Sequence, residues 1–146
     1  MRFLSKPWQS ESIRSPEAKQ RQHESLLRFR AVATAGCPPE LMGIGPIPAT
    51  RKALLRAGLT MADIDLVEIN KAFGSQAVAC LRELEIAEHK VNIDSGAIAI
   101  GHPLGATGAR ITGKAAQIMK REGQRFALAT QCIGGGQGIA TILEAV

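Results

Sequence analysis

The stretch SGAIAIGHPLGATGAR, residues 95 to 110, sets His102 between an apolar run and a series of glycines leading into a helix. Gly101 and Pro103 constrain the backbone on either side, so the imidazole is presented from a fixed turn. Such a group could move protons near neutral pH. Cys132 ends an apolar run and is followed by Ile133, Gly134, Gly135 and Gly136. It is either a small buried hydrophobe or a thiol at a sheet edge, beside glycines whose N–H groups are free to bind an anion. Spacing alone does not choose between these. Asn70 closes IDLVEIN at the C-terminal end of a predicted strand, where α/β folds gather ligand contacts. It suits equally well the N-cap of a helix beginning at Lys71. The series GHPLGATG lacks the Lys-Ser/Thr of a phosphate loop and the spacing of a dinucleotide fingerprint. Cys37 and Cys80 have no His or acidic partner nearby in sequence and read as structural.

The elements that must position these groups alternate between the two periods. LLRFRAVATAG is strand-like and ends in glycine, and CPPELMGIGPIP is a Pro/Gly loop. ATRKALLRAGL reads as a helix capped at Thr50 or a neighbour and stopped by Gly58. After the strand IDLVEIN comes a helix over KAFGSQAVACLRELEI, with Phe73, Ala77, Cys80, Leu81 and Leu84 near one face. VNI reads as a brief strand. A helix follows from about Gly105 to Arg121, unusually rich in Gly and Ala. Each glycine costs about 1 kcal/mol of helix stability relative to alanine, and close approach of another backbone is the physical reason to keep it. RFALATQCIGGGQGIATILEAV closes the chain as two strands joined by a glycine turn. Strands alternating with helices, then a strand pair, predict an α/β layered domain with a mixed sheet.

Composition bounds what this domain can do. The chain has 146 residues with 45% hydrophobic and 21% charged content, enough for one domain with a core. Of the net charge of +5, residues 1 to 30 hold +4 and the remainder +1. Basicity therefore belongs to a head segment, residues 1–26, which reads as flexible, with helical tendency near Pro16 to Leu27. A nearly neutral body, 3% aromatics and no Tyr argue against a nucleic-acid partner. No apolar run is long enough to cross a bilayer. Three cysteines without a CxxC pair argue against a disulfide scaffold or zinc knuckle, hence no metal, and point to a reducing, cytoplasmic setting. Glu11, Glu17 and Glu24 speak against a mitochondrial transit segment.

Four segments in order, MGIGPIPATRKAL, EINKAF, GAIAIGHPLGATGAR and CIGGGQG, resemble the C-terminal half of thiolases over residues 27–146. Thiolases are acyl-CoA acyltransferases that condense two acetyl-CoA molecules or cleave a 3-ketoacyl-CoA. The resemblance implies a five-stranded mixed sheet with helices on both faces, the glycine-rich helix lying against its counterpart in the other half. It assigns His102 as the histidine that activates the nucleophilic cysteine and helps form an oxyanion hole. Cys132 becomes the acid/base cysteine acting at the α-carbon, Asn70 the holder of a water in that hole, and the Gly134 N–H part of a second hole. Coenzyme A thioesters are then the substrates, with no permanently bound cofactor. Departures are Lys71 for the family's glutamate, with a lowered thiol pKa at Cys132 as one expected effect, Asp94 and Ser95 for Asn and Gly, and Gly74 for alanine. The nucleophile motif is absent from these 146 residues, and none of the three cysteines stands in it. The resemblance therefore implies a partner, a thiolase N-terminal half or other thiolase subunit, and little activity alone. The alternative is a non-catalytic truncated remnant or subunit-interaction module. Either way an exposed apolar face should drive homo-oligomerisation or aggregation.

Overall fold

The computed structural model describes residues 26–146, so the predicted head segment lies outside the described residues apart from Leu26. Four strands form one sheet in the order β1-β4-β3-β2: β1 Leu27–Gly36, β2 Leu66–Ile69, β3 Phe126–Ile133 and β4 Gln137–Ala145. β4 is antiparallel to both neighbours and β2 is parallel to β3, so the sheet is mixed as expected.

Among the described residues there is no fifth strand. VNI is reduced to a single bridge between Val91 and Val67. Asn92 turns to φ 44 directly after it and Ser95 to φ 78, so the backbone leaves the extended region before a ladder can continue. Ser95 occupies that left-handed conformation at a cost of roughly 1–2 kcal/mol, which a glycine would not incur. Asp94 offsets the departure on the other side: both its oxygens accept from the Arg121 guanidinium at 2.8 Å, and Lys114 Nζ lies 2.7 Å away. This ion pair ties the turn to the long helix and holds the Asp94 carboxyl well below the usual carboxylate range.

Helices cover both faces. α1, Pro46–Ala57, starts four residues before the expected cap, and Thr50 is buried inside it. Pro46 at the first position and Pro48 two residues on fall where helix N–H groups have no partner, so the predicted Pro/Gly loop contains the helix start rather than preceding it. The rest of that loop is a 3-10 turn, Pro39–Ile44. Gly58 at φ 70 ends α1 as expected. α2 spans Gly74–Glu83, a short α3 Ala97–Ile100, and α4 Thr107–Glu122. One core packs α1 and α2 on Ala33, Val67, Ile69, Leu128 and Ile142. The other packs Ile111, Ala115, Ile118 and Met119 of α4 on Leu66, Ala127, Ala129 and Leu143. Each fully buried large side chain contributes about 1.5–3 kcal/mol. The outer edge of β1 is blunted: Lys52 and Arg56, one turn apart on α1, donate to the carbonyls of Thr34 and Val32 at 3.1 and 2.6 Å.

The close approach expected for the glycines of α4 is not made among the described residues. A Cβ at Gly105, Gly108 or Gly113 would meet nothing within 4 Å there. Shortly before α4 in sequence, Ile98, Ile100 and Leu104 are 63%, 63% and 83% exposed.

Candidate functional site

β2 and β3 run parallel and finish side by side, which brings Asn70 and Cys132 to the same end of the sheet. The Asn70 N–H donates to the Thr130 carbonyl at 2.9 Å, and Cys132 lies two residues further along β3, paired with Gly138. Asn70 does not cap α2. That helix begins at Gly74 with Phe73 at its N-cap and no side-chain cap bond, so the expected capping role is not made. Its side chain is fully buried, Oδ1 facing Arg110 Nη2 of α4 at 3.5 Å and Nδ2 without a partner. Pleat alternation sets Asn70 on the α4 side with Leu66, and Cys132 on the α1/α2 side with Leu128. The two therefore share the sheet end but not the sheet face. Gly134 is exposed in the glycine turn joining β3 to β4.

His102 is exposed and is held through its ring nitrogen. Its Nδ1 lies 2.7 Å from Thr107 Oγ1, and that hydroxyl donates to the Pro103 carbonyl at 3.0 Å. Gly101 at φ 84 turns the chain out of α3 into this loop. Thr107, fully buried at the first position of α4, was not a sequence candidate. The available signal was a hydroxyl at a helix start five residues after the histidine.

Burial pushes the Cys132 thiol above its ordinary value; a backbone hydrogen bond at Cys132 itself works the other way, and Cys37 adds to the rise. The thiol is raised, where one of the two effects expected of Lys71 was a lowering. Cys80 is pushed up to about 11 by burial, with Cys132 nearby adding to it and a Gln76 contact opposing it. It is a core residue whose thiol donates to the Gly43 carbonyl at 3.7 Å. Among the described residues no group of three His, Cys, Asp or Glu is placed to hold a metal ion, and no helix is long and apolar enough to cross a membrane.

Two residues before Asn70, Glu68 is buried beneath α4, with Oε2 accepting from Asn92 Nδ2 at 3.1 Å and Oε1 unpartnered. Burial raises this carboxyl to about 7, against the pull of Arg110, the Asn92 bond and Lys114. The folded state thus binds a proton that the unfolded chain releases near 4.5. Glu68 therefore favours folding fully below pH 4.5, and that contribution is lost as pH rises through about 7. At about 1.4 kcal/mol per pH unit the loss amounts to about 3 kcal/mol. Urea titrations between pH 4.5 and 8 should show this decline, and Glu68→Gln should flatten it.

A mixed sheet between two helical layers, with a histidine loop, an asparagine and a cysteine at its strand ends, is the arrangement of a thiolase C-terminal domain. The family described as "Thiolase, C-terminal domain" matches residues 23–145, and the chain belongs to it. Among individual relatives, it is 53% identical over 123 residues to the 3-ketoacyl-CoA thiolase of Aeromonas salmonicida, covering 82% of this chain and 32% of that one. The corresponding protein of Vibrio cholerae serotype O1 (strain ATCC 39315 / El Tor Inaba N16961) is 53% identical over 120 residues, 80% of this chain and 31% of its own. The crystal structure of human mitochondrial 3-ketoacyl-CoA thiolase superposes with a TM-score of 0.85 at 45% identity, over 90% of this chain and 34% of that one. The chain spans about a third of the length of the relatives it matches.

Proposed function

We propose that this chain supplies the acid/base part of a thiolase-type acyl-CoA acyltransferase and acts when joined to a thiolase N-terminal half. The observations that carry this reading are an exposed His102 held by Thr107 in the loop before α4 and, at the end of β2, a buried Asn70 whose amide NH2 has no partner among the described residues. In thiolysis of a 3-ketoacyl-CoA, the bare His102 nitrogen takes the proton of the partner's nucleophilic thiol, which attacks the 3-keto carbon. The C2–C3 bond breaks, and its electron pair leaves as the enolate of acetyl-CoA. Cys132, resting as a thiol because burial holds its pKa up, gives its proton to the α-carbon. The Cys132 thiolate then takes the proton of incoming coenzyme A, whose sulfur displaces the acyl group from the nucleophile, and the departing nucleophile thiolate takes back the proton held by His102. Asn70 and His102 donate to one oxyanion, Asn70 through a water, and the Gly134 N–H to the other. Donors fixed in advance on developing negative charge supply most of the acceleration in such chemistry. The substrates are coenzyme A thioesters, as in the human relative's structure solved "in complex with CoA", and no permanent cofactor takes part.

The open face of α4 supports a partner. Its glycines meet nothing among the described residues, and Ile98, Ile100 and Leu104, just before it in sequence, are exposed; an N-terminal half would cover both. Three free cysteines accord with a cytoplasmic site of action, and the 3-ketoacyl-CoA thiolase relatives accord with a role in fatty acid metabolism.

The test is thiolysis of acetoacetyl-CoA by the chain alone and by the chain mixed with the N-terminal half of a 3-ketoacyl-CoA thiolase. Turnover in the mixture only is the expected result. No turnover in either, with a folded chain and a formed complex, would sink the enzymatic reading in favour of a non-catalytic interaction module, toward which Lys71 in place of glutamate points.

A further inference from the structure

The first turn of α4 touches both groups that the proposed reaction needs as hydrogen-bonding partners of opposite kind. Thr107 bonds His102 and Arg110, three residues on and one turn away, faces Asn70. Each contact constrains where protons can sit. A threonine hydroxyl carries a single proton, and two acceptors are in reach of it: the Pro103 carbonyl at 3.0 Å, which also accepts from the Ala106 and Thr107 N–H groups, and His102 Nδ1 at 2.7 Å when that nitrogen is bare. With the proton on the carbonyl, which can only accept, Thr107 turns a lone pair towards the ring and Nδ1 of His102 carries the ring proton. A neutral imidazole has one such proton, and Nε2 is left bare. This is the reverse of the tautomer that free histidine favours in water. At Asn70 the logic is electrostatic: a guanidinium has donors and no acceptor, so the amide oxygen must face Arg110 and the NH2 group must point away. That NH2 is buried and has no partner among the described residues, as a group reserved for a ligand or water would be.

We infer that Thr107 and Arg110 are positioning residues that together set the polarity of the site, a bare acceptor at His102 Nε2 and a free donor at Asn70 Nδ2. The catalytic consequence rests on the acyltransferase reading above; the polarity itself does not. Thr107 is fully buried in the turn that starts α4, and Arg110 lies near enough to Glu68 for its charge to pull on that carboxyl. Anything that shifts α4 would disturb acceptor and donor together.

The tautomer can be read without turnover. Nitrogen-15 spectra of the histidine-labelled full chain, above the imidazole pKa, distinguish a protonated from a bare ring nitrogen, and His102→Asn separates His102 from His23 and His89. Should the chain self-associate, solid-state spectra of the sedimented protein report the same quantity. We expect His102 with Nδ1 protonated and Nε2 bare, reversal in Thr107→Val, and restoration in Thr107→Ser. A wild-type ring protonated at Nε2, or a Thr107→Val ring that does not change, overturns the inference. In the complemented enzyme, Thr107→Val should lower kcat by on the order of 10²-fold or more with KM little changed, as wrong-tautomer histidines do, and Thr107→Ser should recover it. Arg110→Lys, still a donor-only cation, should keep more activity than Arg110→Met. If the complemented wild type is inactive, the acyltransferase reading fails while the tautomer result stands. If Thr107→Val reverses the tautomer and keeps full kcat, the positioning role fails while the acyltransferase reading stands.

Discussion

Replacing Cys132 by alanine should lower thiolysis by the complemented enzyme by about 10²–10⁴-fold, the range that a well-placed acid or base contributes, while leaving the chain folded. The fold should tolerate it because Cys132 is half-buried one residue from the end of β3, outside both hydrophobic cores. Serine should not rescue it: an alkoxide lies too far above neutral pH to cycle between acid and base. His102→Ala should cost a similar factor, and the double variant little more than either alone, since two groups that complete one proton circuit are not additive. Steady-state rates with acetoacetyl-CoA, checked by circular dichroism and by co-elution with the N-terminal half, decide the matter. Turnover within tenfold of wild type in a well-folded Cys132→Ala complex would remove Cys132 from the chemistry and leave it a strand-end hydrophobe.

What was legible in the sequence is what local chemistry determines. Gly58 marks the end of α1 because a left-handed C-cap favours glycine, and β3 and β4 are two apolar runs with a glycine turn between them. Errors came where non-local contacts decide. VNI has the composition of a strand but one ladder partner, since Asn92 turns the chain away after Val91. Asn70 has the side chain of an N-cap, yet Arg110, forty residues on, holds its oxygen. Glu68 sits in a strand pattern that marks no carboxylate for burial, and only the fold shows it under α4 among Asn92, Arg110 and Lys114. The substitution at Asp94 reads as a bare departure until Arg121 and Lys114 are seen gripping it. A lowered Cys132 thiol was one of two effects expected of Lys71, the other being a displaced water, and burial raises the thiol instead.

The largest effect on stability should come from a glycine distant from any proton transfer. A Cβ at Gly138 would overlap the Gly45 carbonyl and press on the Pro46 nitrogen, and a Cβ at Gly45 would overlap the Gln137 carbonyl. Both sides are backbone, so no side chain can step aside. This contact seats the start of α1 on the start of β4, opposite Cys132, with which Gly138 pairs. Gly138→Ala should therefore cost at least about 3 kcal/mol, the upper end for overpacking, out of a total that for ordinary domains is about 5–15 kcal/mol. In a chain of this size that lowers Tm by roughly 10 °C or more. Gly113→Ala is the control, because its Cβ meets nothing among the described residues and alanine favours helix by about 1 kcal/mol. It should stabilise the isolated chain yet weaken its complex with the N-terminal half. Thermal melts of the three proteins, followed by titration with that half, test both. A Gly138→Ala chain melting within a few degrees of wild type would show that the backbones can separate there, and that α1 is not what holds the glycine turn beside Cys132.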